Sequence, residues 1–155
     1  AYAPYIATNR RQAARLVELA SITTEDVVCD LGCGDASLLR ELVRLTGCSA
    51  IGCDVDADAI ARGQAKIDNQ PRALRNINLT HSLIATYIQG ERFQTATCVF
   101  VFLVPAMLEE LTPYFCEYLN AKDGNRVLSQ RYQIDGLTVH SSIEDCTADH
   151  REETE

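Results

Sequence analysis

The apolar positions of this chain form two kinds of pattern that alternate along its length. Near the N-terminus, apolar residues recur at the i, i+3, i+4, i+7 spacing of one helix face. Further along, short continuous apolar runs are separated by segments with helical spacing. The N-terminal stripe consists of Ala13, Leu16, Val17 and Ala20. The runs predict five strands, at residues 26–29, 50–55, 76–80, 95–104 and 126–134.

Strands that alternate with helices are typical of an α/β domain. We therefore predict a doubly wound α/β fold with a mostly parallel sheet over residues 1–146, of which 1–20 form an N-terminal segment and helix. The continuous run at 95–104 suits a central strand that is covered on both faces. Only residues 137–143 remain as further strand material, so the C-terminal strands can be incomplete. Residues 147–155 are predicted to form an acidic polar tail.

Residues 27–38 carry the strongest local pattern, which predicts a buried strand, a glycine turn and the start of a helix. Gly32 and Gly34 lack a Cβ, so the chain can bend sharply and a ligand can lie against its backbone. Asp30 comes just before these glycines, where its charge would repel a phosphate. A cationic ligand would be attracted instead. S-adenosylmethionine is such a ligand, because it carries a sulfonium and an α-ammonium group and no phosphate.

A second acid lies at the end of the next predicted strand. Asp54 falls in the run 50–55 and follows Gly34 by 20 residues. Nucleotide-binding βαβ units place an acid there to accept hydrogen bonds from both ribose hydroxyl groups. Because the carboxyl ends of parallel strands meet at one edge of a sheet, we expect Asp30, Asp54 and Pro105 to gather at the ligand-binding edge.

The sequence D-L-G-C-G-D at residues 30–35 resembles motif I of the class I S-adenosylmethionine-dependent methyltransferases, which have a Rossmann-like fold. The resemblance implies that Asp30 holds the ammonium group of S-adenosylmethionine. It also implies that Gly32, Cys33 and Gly34 approach the methionine part of this cofactor.

Further positions of the resemblance involve the adenine and the N-terminal lead-in. The family contacts adenine after the third strand, commonly through an acid, and the expected acid is Leu83 here. The adenine contact is thereby left to backbone groups or to Ser82. The lead-in Pro-Tyr-Ile-x-Thr implies that Tyr5 and Thr8 lie near the cofactor, although Tyr5 can equally pack a helix and Thr8 can cap one. Ala36 stands where many members carry glycine.

The resemblance also bears on the methyl acceptor. The run 95–104 is not followed by the Asn/Asp-Pro-Pro-aromatic tetrapeptide of enzymes that methylate amino groups of nucleobases or glutamine. Over about residues 4–137 the chain is similar to a small subgroup that includes the lysine methyltransferases of the mitochondrial ATP synthase c subunit and archaeal relatives. This implies methyl transfer to a lysine side chain of a protein. No side chain is evident as a catalytic base, so the catalytic residues stay unknown.

Two alternatives remain open at this point. The first is a non-catalytic S-adenosylmethionine-binding or scaffold domain, which the acid replaced by Leu83 and the short C-terminus keep under consideration. The second is an NAD-dependent oxidoreductase. It is disfavoured because Ser37 stands where its glycine fingerprint requires a third glycine, and because Asp30 would face the pyrophosphate.

The composition bears on the partners, the state of the cysteines and the location of the protein. A net charge of −8 disfavours nucleic acid, whose phosphates require a basic surface, and favours cationic partners such as lysine-rich protein segments. Seven scattered cysteines, without metal-ligand spacing, predict reduced thiols and no metal site. The longest apolar run, residues 98–107, is too short to cross a membrane. We expect an intracellular protein, located in the cytoplasm, or in mitochondria if a targeting segment has been removed.

Overall fold

The computed structural model describes residues 10–137. Five strands form one sheet in the order β3-β2-β1-β4-β5, and every neighbouring pair is parallel. The strands are β1 (Val27–Leu31), β2 (Ser49–Asp54), β3 (Ile77–His81), β4 (Cys98–Val101) and β5 (Arg126–Ser129). The helices are α1 (Arg10–Ala20), α2 (Ser37–Thr46), α3 (Ala57–Asp68), α4 (Ile84–Tyr87), α5 (Glu91–Gln94) and α6 (Pro105–Ala121).

The strand order reverses direction between β1 and β4, as in a doubly wound sheet. Chain segments leave β1 and β4 toward opposite sides, so a crevice opens at the carboxyl ends of these two strands. The predicted fold class is confirmed. The predicted tail at 147–155, and the strand material at 137–143 from residue 138 onwards, lie outside the described residues, so the domain bounds stay predictions.

Apolar side chains cover both faces of the sheet. On one face, α1, α2 and α3 pack in a cluster that includes Val28 of β1, and on the other face α4, α5 and α6 pack in a cluster that includes Cys29. This alternation follows from the strand geometry, in which successive side chains point to opposite faces. The predicted stripe of α1 is confirmed, since Ala13 and Ala20 are buried and Leu16 and Val17 pack against the first cluster.

Local hydrogen bonds set the start of α3 and the end of α2. Asp56 precedes α3 and accepts hydrogen bonds from the backbone N–H groups of Asp58 at 3.0 Å and Ala59 at 3.1 Å. Gly47 follows α2 in the left-handed conformation, with φ of 72°, and its N–H donates to the carbonyl oxygen of Val43 at 2.8 Å. Asp56 and Gly47 thus begin and end these helices with residue types that such positions favour.

The fourth and fifth strands are shorter than predicted. Thr95 ends α5, so the apolar run that begins there enters the sheet only at Cys98 and leaves it after Val101. β5 ends at Ser129 because the chain turns at Arg131, whose φ of 73° is incompatible with an extended strand.

α6 is one continuous element, although it contains Pro113 and a proline inside a helix commonly interrupts or kinks it. Proline removes one backbone hydrogen bond and costs about 3 kcal/mol inside a helix. Buried side chains flank Pro113 on both sides, and each contributes about 1.5–3 kcal/mol by leaving water, which offsets the cost. These side chains are Leu108, Leu111, Phe115 and Tyr118.

Six of the cysteines lie in the described part of the chain, and all six are free thiols. Five of them are buried and act as small apolar side chains in the two clusters. Burial raises the pKa of Cys53 to about 12 and that of Cys98 to about 12, so these thiols stay protonated at neutral pH.

A polar network closes the amino edge of the sheet. The carboxylate of Asp26 accepts hydrogen bonds from the Thr97 hydroxyl at 2.7 Å, the Arg126 guanidinium at 3.1 Å and the Thr23 N–H at 2.9 Å. It thereby joins the segments that enter β1, β4 and β5. Burial raises the pKa of Asp26, but the bonds from Thr97, Thr23 and Arg126 outweigh this effect and hold the pKa below its usual value.

Replacing Asp26 by alanine is expected to lower the free energy of unfolding by about 1–3 kcal/mol at pH 7, because the half-buried partners lose a charged acceptor. Urea denaturation measures this difference. It should shrink as the pH falls below about 4 and the wild-type carboxylate is protonated. Asp123→Ala, at an exposed position, is the matched control. An equal loss in the control, or a difference that does not depend on pH, would contradict the role of this network.

Candidate functional site

Asp30 lies in β1 beside the crevice, and its neighbours in the sheet leave it desolvated. In the parallel register it pairs with Gly52 of β2 and with Phe100 of β4. Gly52 offers no side chain, Phe100 is buried, and Asp30 itself is half-buried. Within residues 10–137, no donor forms a hydrogen bond with its carboxyl group.

This environment changes the protonation of Asp30. Burial and the nearby charge of Asp54 raise the pKa of Asp30 to about 7. A carboxyl group shifts in this direction when its surroundings stabilise the charged form poorly. No positive charge in the part of the chain that the structure describes compensates Asp30, and a bound cation would restore the carboxylate form.

The glycine turn after β1 uses its first backbone N–H groups within the protein. Those of Gly32 and Cys33 both donate to the carbonyl oxygen of Cys53 at 2.9 Å, which ties the turn to β2. That of Gly34 donates to Oδ2 of Asp54 at 2.8 Å. The left-handed φ values of Gly32 (84°) and Gly34 (56°) make this geometry accessible to glycine without strain.

The N–H groups at the end of the turn are bonded internally as well. Ala36 donates to the carbonyl oxygen of Cys33 at 2.9 Å, and Ser37 donates to Oδ1 of Asp35 at 3.2 Å. A phosphate at such a turn is held by free N–H groups at the start of the helix. The N–H groups of Ala36 and Ser37 are committed here, which removes two of the contacts that an NAD pyrophosphate could use.

Two glycines outside the turn hold it in place, and the sequence analysis missed them. A Cβ at Gly52 would lie 2.9 Å from Cβ of Cys33 and 2.9 Å from Cδ1 of Leu39. A Cβ at Gly63 of α3 would lie 2.5 Å from the backbone oxygen of Asp35. A glycine in an apolar strand and another inside a helix are unfavourable by propensity, and this was the available signal.

Asp35 supports the turn from outside the crevice. Its Oδ1 accepts a hydrogen bond from the Ser37 hydroxyl at 2.6 Å, while Oδ2 lies 3.2 Å from Nζ of Lys66 and 3.6 Å from Nη2 of Arg40. The carboxylate thus connects the turn to α2 and α3. Its charge is compensated, unlike that of Asp30.

Asp54 ends β2 with its side chain held in one orientation. Its Oδ2 accepts the Gly34 N–H and its Oδ1 accepts the Asp56 N–H, both at 2.8 Å. A carboxylate has about four lone-pair sites, so each oxygen can accept a further hydrogen bond. Asp54 therefore presents two oriented acceptors at the carboxyl edge of the sheet.

The residues after β3 are tied to those after β2. The Ser82 N–H donates to the carbonyl oxygen of Asp54 at 3.0 Å, and Nε2 of His81 lies 3.0 Å from the carbonyl oxygen of Val55. The Ser82 hydroxyl donates to the carbonyl oxygen of Leu83 at 2.9 Å. Val55 and Leu83 remain 58% and 63% exposed, so two large apolar side chains face solvent beside Asp54.

The structure brings most of the predicted site residues to one edge of the sheet. Cys33 is buried, so only its backbone can face a ligand, and Pro105 starts α6 after β4. Tyr5 and Thr8 lie outside the described residues. The residues at this edge are Asp30, Gly32, Cys33, Gly34, Asp54 and Ser82.

This arrangement offers an uncompensated carboxyl group, a pair of oriented acceptors and exposed apolar side chains. S-adenosylmethionine fits these features. It has an ammonium group for an acid, two ribose hydroxyl groups for oriented acceptors, and a flat base for apolar contact.

Comparison with known proteins bears on this interpretation. The family described as a methyltransferase domain matches residues 28–121, which is more than half of the chain. The chain belongs to this methyltransferase family. The predicted enzyme class and cofactor are thereby confirmed, and the protein is an S-adenosylmethionine-dependent methyltransferase.

Three similar proteins each match most of the length of this methyltransferase. A protein-lysine N-methyltransferase of Saccharolobus islandicus (strain REY15A) is 27% identical over 156 residues, which cover 96% of this chain and 90% of that protein. An RNA methyltransferase from Salinibacter ruber, solved with S-adenosyl-L-homocysteine, matches with a TM-score of 0.75 and 19% identity, over 90% of this chain and 86% of that one. A methyltransferase from Geobacter sulfurreducens matches with a TM-score of 0.65 and 14% identity, over 83% and 51%. The two structural matches support the fold.

Two further features of the methyltransferase concern metals and membranes. Between residues 10 and 137, no group of three or more His, Cys, Asp or Glu side chains is placed to hold a metal ion. Over the same range, no helix has the length and apolar character needed to cross a membrane.

Gly63→Ala is expected to move α3 away from the glycine turn, because the new Cβ would meet the backbone oxygen of Asp35. We expect a loss of about 1–3 kcal/mol in the free energy of unfolding, despite the better helix propensity of alanine, and weaker binding of S-adenosylhomocysteine. Urea denaturation and calorimetry measure the two effects. Arg62→Ala, an exposed neighbour in α3, is the control. Unchanged stability and binding in Gly63→Ala would show that the close approach has no consequence.

Proposed function

We propose that this methyltransferase methylates lysine side chains of a protein, and that the residues gathered at the carboxyl edge of the sheet hold its cofactor. The observation that carries the cofactor assignment is the combination at the crevice of a desolvated, uncompensated Asp30 with a glycine turn in which the N–H groups of Gly32, Cys33 and Gly34 are already bonded. Such a site favours a cation and disfavours a phosphate.

Asp30 is assigned to the α-ammonium group, directly or through a water molecule. A Cβ placed on Gly32 would lie 3.8 Å from Cδ1 of Ile84 and 3.9 Å from Cδ2 of Leu103, so apolar side chains border the turn next to Asp30. Apolar surroundings exclude water and strengthen the attraction between opposite charges. Gly32 and Gly34 let the methionine part lie against the backbone.

Asp54 is assigned to the ribose, whose two hydroxyl groups can donate to its two oriented oxygens. Ser82 and the exposed Val55 and Leu83 follow β3 and β2 at the same edge, within reach of the base. Tyr5 and Thr8 remain candidates by resemblance.

When bound, S-adenosylmethionine supplies a methyl group on a sulfonium centre. The residues named here fix where that methyl group lies, and such positioning can contribute roughly 7–11 kcal/mol to lowering a barrier. A lysine acceptor must lose a proton before it attacks, and no residue of this chain is assigned to that step.

Three observations support a lysine acceptor in a protein. The relative from Saccharolobus islandicus, which this chain matches over nearly its full length, is a protein-lysine N-methyltransferase. The chain carries a net charge of −8, which favours encounters with cationic segments. On α6, which begins at the carboxyl edge of the sheet, Glu109, Glu110 and Glu117 are exposed.

The acceptor can be tested with labelled methyl groups. Lysate proteins are incubated with methyl-labelled S-adenosylmethionine and the enzyme, then hydrolysed and separated as amino acids. We expect label in methyl-lysine, and none when the lysines have first been blocked by acetylation, which removes the nucleophilic lone pair of the amine. Asp54→Ala should weaken cofactor binding roughly 100-fold, because two charge-assisted hydrogen bonds are lost, and should abolish labelling. Asp58→Ala, at an exposed position of α3, is the matched control.

The alternative outcomes are distinct. Label in nucleic acid or in another amino acid would contradict the lysine acceptor. Cofactor binding without any transfer would favour the non-catalytic alternative. Undiminished cofactor binding by Asp54→Ala would contradict the assignment of the ribose.

Cofactor binding is expected to depend on the protonation of Asp30, whose pKa burial and Asp54 raise to about 7. Because binding an ammonium group favours the carboxylate, affinity for S-adenosylhomocysteine should fall up to tenfold per pH unit below about pH 7 and level off above it. In the unliganded protein, the free energy of unfolding changes with pH in the opposite direction to the affinity. The protonated carboxyl group stabilises the fold at pH below about 4, and this contribution is lost as the pH rises through 7.

Calorimetric titration at pH 6, 7 and 8 measures this linkage. Asp30→Asn should bind weakly and without the pH dependence, whereas Asp58→Asn should keep the wild-type profile. An affinity of the wild-type protein that is constant from pH 6 to 8 would rule out the linkage.

A further inference from the structure

We propose that this methyltransferase binds the base of its cofactor by apolar contact without selecting the exocyclic amino group, and that Leu83 is the position that sets this specificity. The inference rests on the proposed cofactor site, in which Asp54 holds the ribose. It concerns only the discrimination between bases, which the proposed function leaves open.

The position of the base follows from the position of the ribose. Val55 directly follows Asp54 at the end of β2, and Leu83 follows Ser82 at the end of β3. The bonds from the Ser82 N–H to the Asp54 carbonyl and from His81 to the Val55 carbonyl hold these two chain ends together. A base attached to a ribose at Asp54 therefore meets the residues that follow these strands.

The side chains there are unusually apolar for an exposed surface. Val55 is 58% exposed and Leu83 is 63% exposed. Among the described residues, Leu45, at 51%, is the one other large apolar side chain that is exposed. Leu45 lies near the end of α2, away from the carboxyl edge of the sheet. Two such side chains beside Asp54 are well suited to cover the face of a flat ring.

The side-chain donors of Ser82 and His81 already have partners. The Ser82 hydroxyl donates to the Leu83 carbonyl, and Nε2 of His81 must donate to the Val55 carbonyl, because a carbonyl oxygen only accepts. The carboxylate of Asp56 caps α3 through two backbone N–H groups. Leu83 itself precedes α4 without a side-chain hydrogen bond. Both cap bonds use Oδ1 of Asp56, which holds this carboxylate at the start of α3, and residues 82–90, which follow β3, contain no carboxylate for the exocyclic amino group of adenine.

Weak discrimination between purines follows from this arrangement. Apolar contact depends on the ring faces, which 6-amino, 6-methylamino and 6-oxo purines share. A site that hydrogen-bonds a group rejects analogues without it by large factors, whereas an apolar site rejects them poorly. We expect the dissociation constants of S-adenosylhomocysteine, its N6-methyl derivative and S-inosylhomocysteine to agree within about threefold.

Calorimetric titration with these three compounds tests the inference without measuring activity. Leu83→Glu places a carboxylate beside the base and should favour the 6-amino compound over the 6-oxo compound by roughly tenfold or more. Glutamate is preferred to aspartate here, because aspartate before α4 would cap the helix. Leu83→Gln has the same shape, but its amide can donate or accept and should create no preference. Leu45→Glu, at the distant exposed leucine, should bind all three compounds like the wild type.

Each outcome bears on a separate claim. A preference of the wild-type protein for the 6-amino compound of tenfold or more would overturn the inference while leaving the cofactor site intact. Loss of such a preference in His81→Ala or Ser82→Ala would identify the residue responsible. A Leu83→Glu variant that binds S-adenosylhomocysteine yet shows no preference would overturn the role of Leu83. Failure of the wild-type protein to bind any of the three would overturn the cofactor assignment, and the inference with it.

Discussion

The hydrogen bond from the Gly34 N–H to the Asp54 carboxylate is the interaction on which the site depends. At 2.8 Å it joins the glycine turn after β1 to the end of β2. Together with the two N–H groups that donate to the Cys53 carbonyl, it fixes the path of the turn before any ligand is present. The same carboxylate also accepts the Asp56 N–H, so the start of α3 is held by the group that is assigned to the ribose. The fold and the proposed ribose contact therefore share one side chain.

The charges at the carboxyl edge of the sheet are unbalanced, and this imbalance has a consequence for binding. Asp35 is compensated by Lys66 and Arg40, and Asp26 by Arg126, whereas the carboxyl group of Asp30 faces a buried Phe100 and the charge of Asp54. Such a group gains more from a cation than a solvated acid does, because its desolvation has already occurred during folding. For the proposed ammonium contact, part of the free-energy cost of binding, the desolvation of this carboxyl group, would thus already be met during folding.

Much of the fold could be predicted from the sequence, because its signals are local. The stripe of α1 depends on neighbouring residues and is confirmed, and the cap at Asp56 and the helix end at Gly47 rest on equally local signals. The length of β4 could not be predicted. Apolar character indicates burial and not strand pairing, and both Ala96 and Leu103 are buried outside the sheet. The continuity of α6 through Pro113 depends on tertiary packing in the same way.

The features of the site also differ in whether they depend on local sequence or on contacts between distant segments. Asp30 and Asp54 stand out in the sequence because an acid at the end of an apolar strand is unusual, and the structure places both at the crevice. The close approach of α3 to the turn at Gly63 is a contact between distant segments, so spacing gives no sign of it. The roles of the site residues stay predictions, including those of Tyr5 and Thr8.

The reactivity of the buried thiols depends on whether the protein is folded. Five of the six described cysteines are shielded in the two clusters, and burial keeps the most enclosed of them protonated. A thiol in that state reacts slowly with oxidants and alkylating reagents, since the thiolate is the nucleophile. The folded chain can therefore tolerate oxidising conditions that would modify it as soon as it opened. The rate at which these cysteines are covalently labelled would therefore measure how often the core opens, so oxidation of the enzyme depends on its folding equilibrium.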